Sequence, residues 1–265
     1  MHPLTLALHL GAMAALLAAC WTFQRLLART QHWHWQAAAI GAATFVIAAR
    51  VLEPLALHAA GITALIGRPD AAPWWLLPAL AAAAALFEEF GRLAGLGATR
   101  RRPADPVTRV WSFAAGYAIA ELLLIGIVGH GQLLGVAHAG EARSALLQEL
   151  PPEARSALQR GLSELGPTSA LWLLTERLAA CAFQIGLTLL VAAAIEARSA
   201  ARFLAALALH FVIDRPAAAY QLGAVPLWLV ELAYAVAGIA ALRWLQRCWQ
   251  AGPNSRAQPA AQSLA

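Results

Sequence analysis

Three charged residues, Glu88, Glu89 and Arg92, stand inside the otherwise apolar stretch "LFEEFGRLAG" at residues 86–95. Two adjacent carboxylates can take a proton from a bound water, provided that other groups hold the water and balance the charge. Arg92 follows Glu88 by four residues, one helical turn along the same face, and can neutralise it, whereas Glu89 points about 100° away and is left for another partner. Polar residues that could complete such a site recur in later apolar stretches: Tyr117 and Glu121, Glu176 and Arg177, Gln184, and His210 with Asp214.

The elements that carry these residues follow from composition. The chain has 265 residues, of which 60% are hydrophobic and 12% charged, against about 25% charged in a soluble domain. The apolar residues form runs near the roughly 20 needed to cross a bilayer, at about 4–23, 37–61, 73–97, 110–129, 169–194, 202–220 and 225–245. The expected fold is all-α, a polytopic integral membrane bundle of about seven transmembrane helices. Residues 1–249 form a single transmembrane domain, and residues 250–265, without periodicity, form a disordered tail. All basic residues are arginine, and they concentrate after the first, third, fifth and seventh runs (Arg25 and Arg29; Arg100 to Arg102 with Arg109; Arg198 and Arg202; Arg243 and Arg247). This bias puts the N-terminus outside and the C-terminus in the cytoplasm. The arginines form no continuous stripe, so the net charge of +5 does not indicate nucleic acid. Cys20, Cys181 and Cys248 have no metal or disulfide spacing. The connection 138–168 repeats EARSAL at 141 and 153 and reads as an external amphipathic hairpin lying on the membrane surface.

Burying Glu88, Glu89 and Arg92 costs about 2.5–3.5 kcal/mol each near the centre of a span, against about 0.5 gained per Leu or Phe, so other helices must supply partners. Counted from the cytoplasmic ends of the runs, Glu88, Tyr117, Gln184 and His210 fall within about 6 Å of one another in depth at 1.5 Å per residue. They share a layer. Glu121, Asp214 and Glu176 follow on the same helix faces in a second, deeper layer.

The segments "FEEFGR" (87–92), "GYAIAE" (116–121), "TERLAACAFQIGLTLLV" (175–191) and "LALHFVID" (207–214), in that order, resemble the YhfC family of intramembrane metalloproteases, related to the CAAX-protease and bacteriocin-processing group. The resemblance is informative over about residues 80–215. It implies hydrolysis of peptide bonds in membrane-associated substrates within the bacterial cytoplasmic membrane. On the matching positions, Glu88 is the water-activating base, Glu89 its companion, His210 a metal or oxyanion ligand, and Asp214 its orienting partner. Arg92, Tyr117, Glu121, Glu176, Arg177 and Gln184 are supporting residues. The sequence departs from the family where histidines are usual, with Tyr117 and Gln184 instead. That leaves Glu88, Glu89 and His210 as ligands for a zinc ion bound weakly or not at all.

Three functions therefore compete: an intramembrane endopeptidase, impaired by those replacements; a non-catalytic relative that binds a membrane protein or peptide; and a proton-coupled transporter relaying through Glu88, Glu121 and Asp214. The expected partners are the lipid bilayer and a membrane protein or peptide substrate. Other polar features have plainer readings. Arg50 and Glu53, three apart, neutralise each other. His130 in "GHG" is a hydrated residue near the outer interface, and "QHWHWQ" at 31–36 belongs to an interfacial aromatic belt with Trp74, Trp75, Trp244 and Trp249.

Overall fold

A computed structural model describes residues 2–66, 73–101, 104–140, 142–150 and 152–250. Arg102, Glu141 and the tail 251–265, which figure in the reading of the sequence, lie outside the described residues. Ten helices account for the elements among the described residues, with no strand. They are α1 Pro3–Arg29, α2 Trp35–Ala59, α3 Thr63–Ile66, α4 Leu76–Thr99, α5 Pro106–His138, α6 Ala142–Glu149, α7 Pro152–Ser163, α8 Pro167–Glu196, α9 Ala200–Gln221 and α10 Leu227–Gln250.

Six of these, α1, α2, α5, α8, α9 and α10, are long and apolar enough to cross a membrane. The seventh long helix, α4, has 24 residues, about 36 Å at 1.5 Å per residue. Its charged residues set it apart by composition, and those are the residues it turns inward: Glu88, Glu89 and Arg92 are all buried. The chain is a polytopic all-α membrane protein. Large apolar side chains such as Leu4, Ile47, Phe90, Leu204, Val212 and Val236 face outward on the bundle, as they must where the surroundings are hydrocarbon rather than water.

Two helices form the centre. The most apolar windows of α5 and α8 are 61% and 67% buried, whereas those of α1, α2, α9 and α10 are between 17% and 22% buried and make the periphery. The ends of the central pair are set by local chemistry. Asp105 caps α5, its Oδ1 accepting from the Thr108 N–H at 3.0 Å, with Pro106 in the first turn. Ser169 Oγ accepts from Gly166 N at 2.9 Å at the start of α8. Two glycines then set how closely α2 and α5 approach. A Cβ on Gly116 would lie 1.9 Å from the Ala38 carbonyl oxygen, and one on Gly41 would lie 2.1 Å from that of Phe113. Only hydrogen fits at either position, so the backbones touch, and this contact carries Tyr117 into the core.

α2 and α5 are not uniform α-helices. Val46–Leu52 in α2 and Leu122–Gly129 in α5 are π-helical. Such wide turns are rare and concentrate at functional sites. Here one ends at Glu53 and the other begins after Glu121, and both carboxylates line the same cavity.

The connection between α5 and α8 is helical, as its amphipathic repeats suggest. α7 lies against α3 and the end of α5. Arg160 of α7 donates to the Tyr220 and Gln221 carbonyl oxygens, each at 3.1 Å, at the C-terminal end of α9, while the Tyr220 hydroxyl donates to Glu164. The hairpin is thereby fastened to that end of the bundle.

Candidate functional site

Four helices meet around the α4 charges. The Arg92 guanidinium, with no exposed surface, donates through Nη2 to Glu88 Oε2 at 3.1 Å and to Gln184 Oε1, and through Nη1 to Glu89 Oε1. Its plane lies over the Tyr117 ring, 4.2 Å from the centroid. One arginine thus joins both glutamates. Arg92 pairs with Glu88 as its spacing suggests, and the i,i+3 spacing brings Glu89 within its reach as well, while Glu89 also meets a partner of its own in His210.

Glu88 is held by one oxygen. Oε2 accepts from the Tyr117 hydroxyl at 2.9 Å, from Gln184 Nε2 at 3.3 Å and from Arg92. Oε1 has no bond to any described residue, and Glu88 lines the cavity. His210, 2% exposed, stands between carboxylates: Nδ1 is 2.6 Å from Glu89 Oε1, and Nε2 is 3.2 Å from Asp214 Oδ2 and 3.9 Å from Glu88 Oε2. The structure therefore brings Glu88, Tyr117, Gln184 and His210 together, with Glu89, Arg92 and Asp214 joined to them.

The cavity itself measures about 490 Å³. Five carboxylates line it, Glu53, Glu88, Glu121, Glu176 and Asp214, against the guanidinium groups of Arg50 and Arg177. Ile66, Tyr220 and Gln221 line it on the side where the α7 hairpin is fastened. Glu121, Glu176 and Arg177 form a second cluster on this wall. Arg177 pairs with Glu176, its neighbour in sequence, and Nη1 reaches Glu121 Oε1 at 3.4 Å. Glu121 Oε2 has no hydrogen-bond partner among the described residues. The room for the Arg177 stem comes from Gly126, where a Cβ would stand 3.1 Å from both Cγ and Cδ.

Two expectations fail at the edges. Among the described residues Arg50 and Glu53 make no direct ion pair: both line the cavity, Arg50 exposed from the π-helical turn and Glu53 partly buried just after it. His130 is not simply hydrated: its Nε2 is 2.8 Å from Nδ1 of His9, a fully buried residue of α1 that sequence reasoning passed over. His9 Nε2 in turn meets Gly166 O and Ser169 Oγ at 3.2 Å each. The pair ties α1 to α5 and α8, away from the cavity. A second missed residue is Glu231 of α10, 1% exposed with Oε2 unpartnered among the described residues. Its signal was a lone carboxylate inside an apolar run.

A metal ion needs open lone pairs from several ligands on one point. Here both nitrogens of the one histidine in the cluster face carboxylates, and the Glu88 oxygen nearest His210 accepts three bonds. Among the described residues no three His, Cys, Asp or Glu side chains are arranged to hold a metal. The donor set does not fit a resident metal ion.

No curated protein and no solved structure matches the chain significantly. The YhfC intramembrane metalloprotease family matches residues 2–235, a stretch that contains every residue of both clusters. From the first helix into the last, therefore, the chain belongs to the YhfC intramembrane metalloprotease family.

Proposed function

We propose that this protein takes a peptide segment of a membrane-associated substrate into the cavity and hydrolyses it there, with Glu88, His210 and Asp214 handling the attacking water. The observation that carries this reading is the lopsided anchoring of Glu88: Oε2 is fixed by Arg92, Tyr117 and Gln184 and lies 3.9 Å from His210 Nε2, while Oε1 has no bond to any described residue, and Glu88, His210 and Asp214 line one cavity. A carboxylate so held is oriented to receive a proton from water as the water oxygen bonds to the peptide carbonyl carbon. His210 then supplies a proton to the departing amine nitrogen, and Asp214 holds the ring in place. No metal takes part in these steps.

The family supports proteolysis as a class, and a cavity among membrane-spanning helices, lined by both apolar side chains and carboxylates, supports a membrane-embedded substrate. The same geometry favours a second reading, a relative that binds such a peptide without cutting it. Three donors, one of them a guanidinium, already occupy Glu88 Oε2, so only the other oxygen is open to a proton.

Reconstituted in liposomes with a library of quenched fluorogenic transmembrane peptides, the wild-type protein is expected to cut, and Glu88→Gln and His210→Ala to stop cutting while remaining folded. Glutamine keeps the shape and accepts hydrogen bonds but takes no proton from water. Cutting that persists in folded Glu88→Gln sinks the hydrolytic assignment. Retained peptide binding by a wild-type protein that cuts nothing establishes the second reading.

A further inference from the structure

Five side chains from four helices converge on one point, and that point is a guanidinium. Glu88, Glu89, Gln184 and His210 each place a polar atom within 3.4 Å of an Arg92 Nη atom, and Tyr117 presents its ring face. Three of these, Glu88, Glu89 and His210, are the ligands left for a metal, and the other two stand where the family resemblance expects histidine. We infer that Arg92 is the resident cation of this site, a covalently built-in positive charge in the place of an exchangeable metal ion.

The chemistry favours the substitution. A guanidinium is permanently charged, and its planar fork of donors meets oxygen acceptors at fixed angles, which an ammonium group does not. Tyr117 and Gln184 suit it as histidines would not. The phenol ring offers a π face to the cation, and the amide oxygen accepts from Nη2 while the amide nitrogen donates on to Glu88 Oε2. Arg92 itself does not line the cavity. It is a positioning residue: it engages Glu88 Oε2, Glu89 Oε1 and Gln184 Oε1 and fixes which oxygen of Glu88 is left free. The inference holds whether the cavity cuts its peptide or only binds it, so its test needs no substrate.

That test is metal binding by the full chain in detergent, with zinc content measured by mass spectrometry and cobalt(II) followed by its visible spectrum. The wild-type protein, equilibrated with zinc and passed through a desalting column, should retain no stoichiometric zinc. One zinc per chain that disappears in His210→Ala overturns the inference. Tyr117→His with Gln184→His, keeping Arg92, should still show no tetrahedral cobalt spectrum, because the guanidinium remains at the point of convergence. A stoichiometric cobalt site in that double variant overturns it too. Adding Arg92→Ala to the two histidines should create the cobalt site and make thermal stability rise with cobalt concentration. A folded triple variant that binds no cobalt overturns the inference, and if the triple variant does not fold, the double variant decides.

Discussion

Two arginines serve the same cavity in opposite ways. Arg92 is sealed behind the wall, its side chain fully covered and its Nη atoms engaged by residues of α4, α8 and α9. Arg177 stands on the wall, its side chain 10% exposed, paired with the adjacent Glu176 and loosely with Glu121. Around Arg92 four side chains bring polar atoms to one cation, although Glu89 Oε2, Arg92 Nε and Glu88 Oε1 make no bond to a described residue. Around Arg177 the pairs are fewer, and Glu121, with one oxygen unpartnered among the described residues, lines the cavity. A buried network with many members specifies one arrangement of helices, whereas unspent hydrogen-bonding capacity on a cavity-lining residue is where a ligand gains. The first arginine holds the bundle together, and the second is placed to meet what enters.

The largest effect follows from removing the sealed arginine. Arg92→Ala leaves Glu88 and Glu89 without their cation and is expected to cost about 3–5 kcal/mol, read as loss of folded yield or as a shift in detergent-induced unfolding. Arg92→Lys should rescue little of it, since an ammonium cannot reproduce the forked contacts. A variant as stable as wild type erases the distinction between the two arginines.

Arg177→Ala should destabilise less, by about 1–3 kcal/mol for the partners it leaves, but should weaken capture of a transmembrane peptide by about tenfold or more, equivalent to about 1.4 kcal/mol. Peptide affinity and unfolding, measured on the same preparation, separate the two losses. Equal effects on both would place Arg177 in the same class as Arg92.

Polar residues inside apolar runs are costly and have to find one another, so Tyr117, Gln184 and His210 could be aligned with Glu88 by counting depth along the sequence. What counting missed is instructive. Arg92 reaches Glu89 as well as Glu88 because both i,i+3 and i,i+4 neighbours are within reach of a long side chain, and no rule of spacing chooses between them. Arg50 lies within a π-helical turn and Glu53 just after it, and that turn has no compositional signal in "VIAARVL". His9 lay hidden because one histidine near the start of an apolar run reads as interfacial, and its partner His130 comes 121 residues later.

Glu231 sharpens the comparison from the other side. One of its oxygens is unpartnered among the described residues, so Glu231→Gln, which keeps the shape and removes the acid group, should change stability by no more than about 1 kcal/mol, and upward if at all. A large loss in thermal denaturation would show that the α10 carboxylate is bound into the bundle as firmly as Glu88.

An effect of similar size lies outside both clusters. At the Asp105 cap, burial pushes the carboxyl pKa up, but hydrogen bonds from Thr108 and from the Val107 N–H outweigh it and hold the pKa below its ordinary value. A depressed carboxylate pKa contributes stability above the unfolded value, near 3.9, and that contribution is lost as pH falls through the folded one. Asp105→Ala should therefore cost about 1 kcal/mol at neutral pH, with the gap from wild type closing below about pH 4. A gap that persists in acid would mean that the cap acts through shape rather than charge.

The π-helical stretch at Val46–Leu52 makes the number of residues in α2, rather than their identity, the quantity that aims Glu53. Each residue of an α-helix advances the chain by about 100°. Deleting one residue between 46 and 52 would let the segment relax to regular α-helix with Glu53, Pro54 and Leu57 still close to the cavity wall, because a π-helical turn holds about one residue more than an α-helical one, whereas deleting one from the regular turns before Val46 would swing them by about 100°. Alanine replacements and a single deletion within 46–52 should be tolerated, and a single deletion before it should not. In this helix a frameshift of side chains, invisible to any measure of composition, would unmake one side of the cavity.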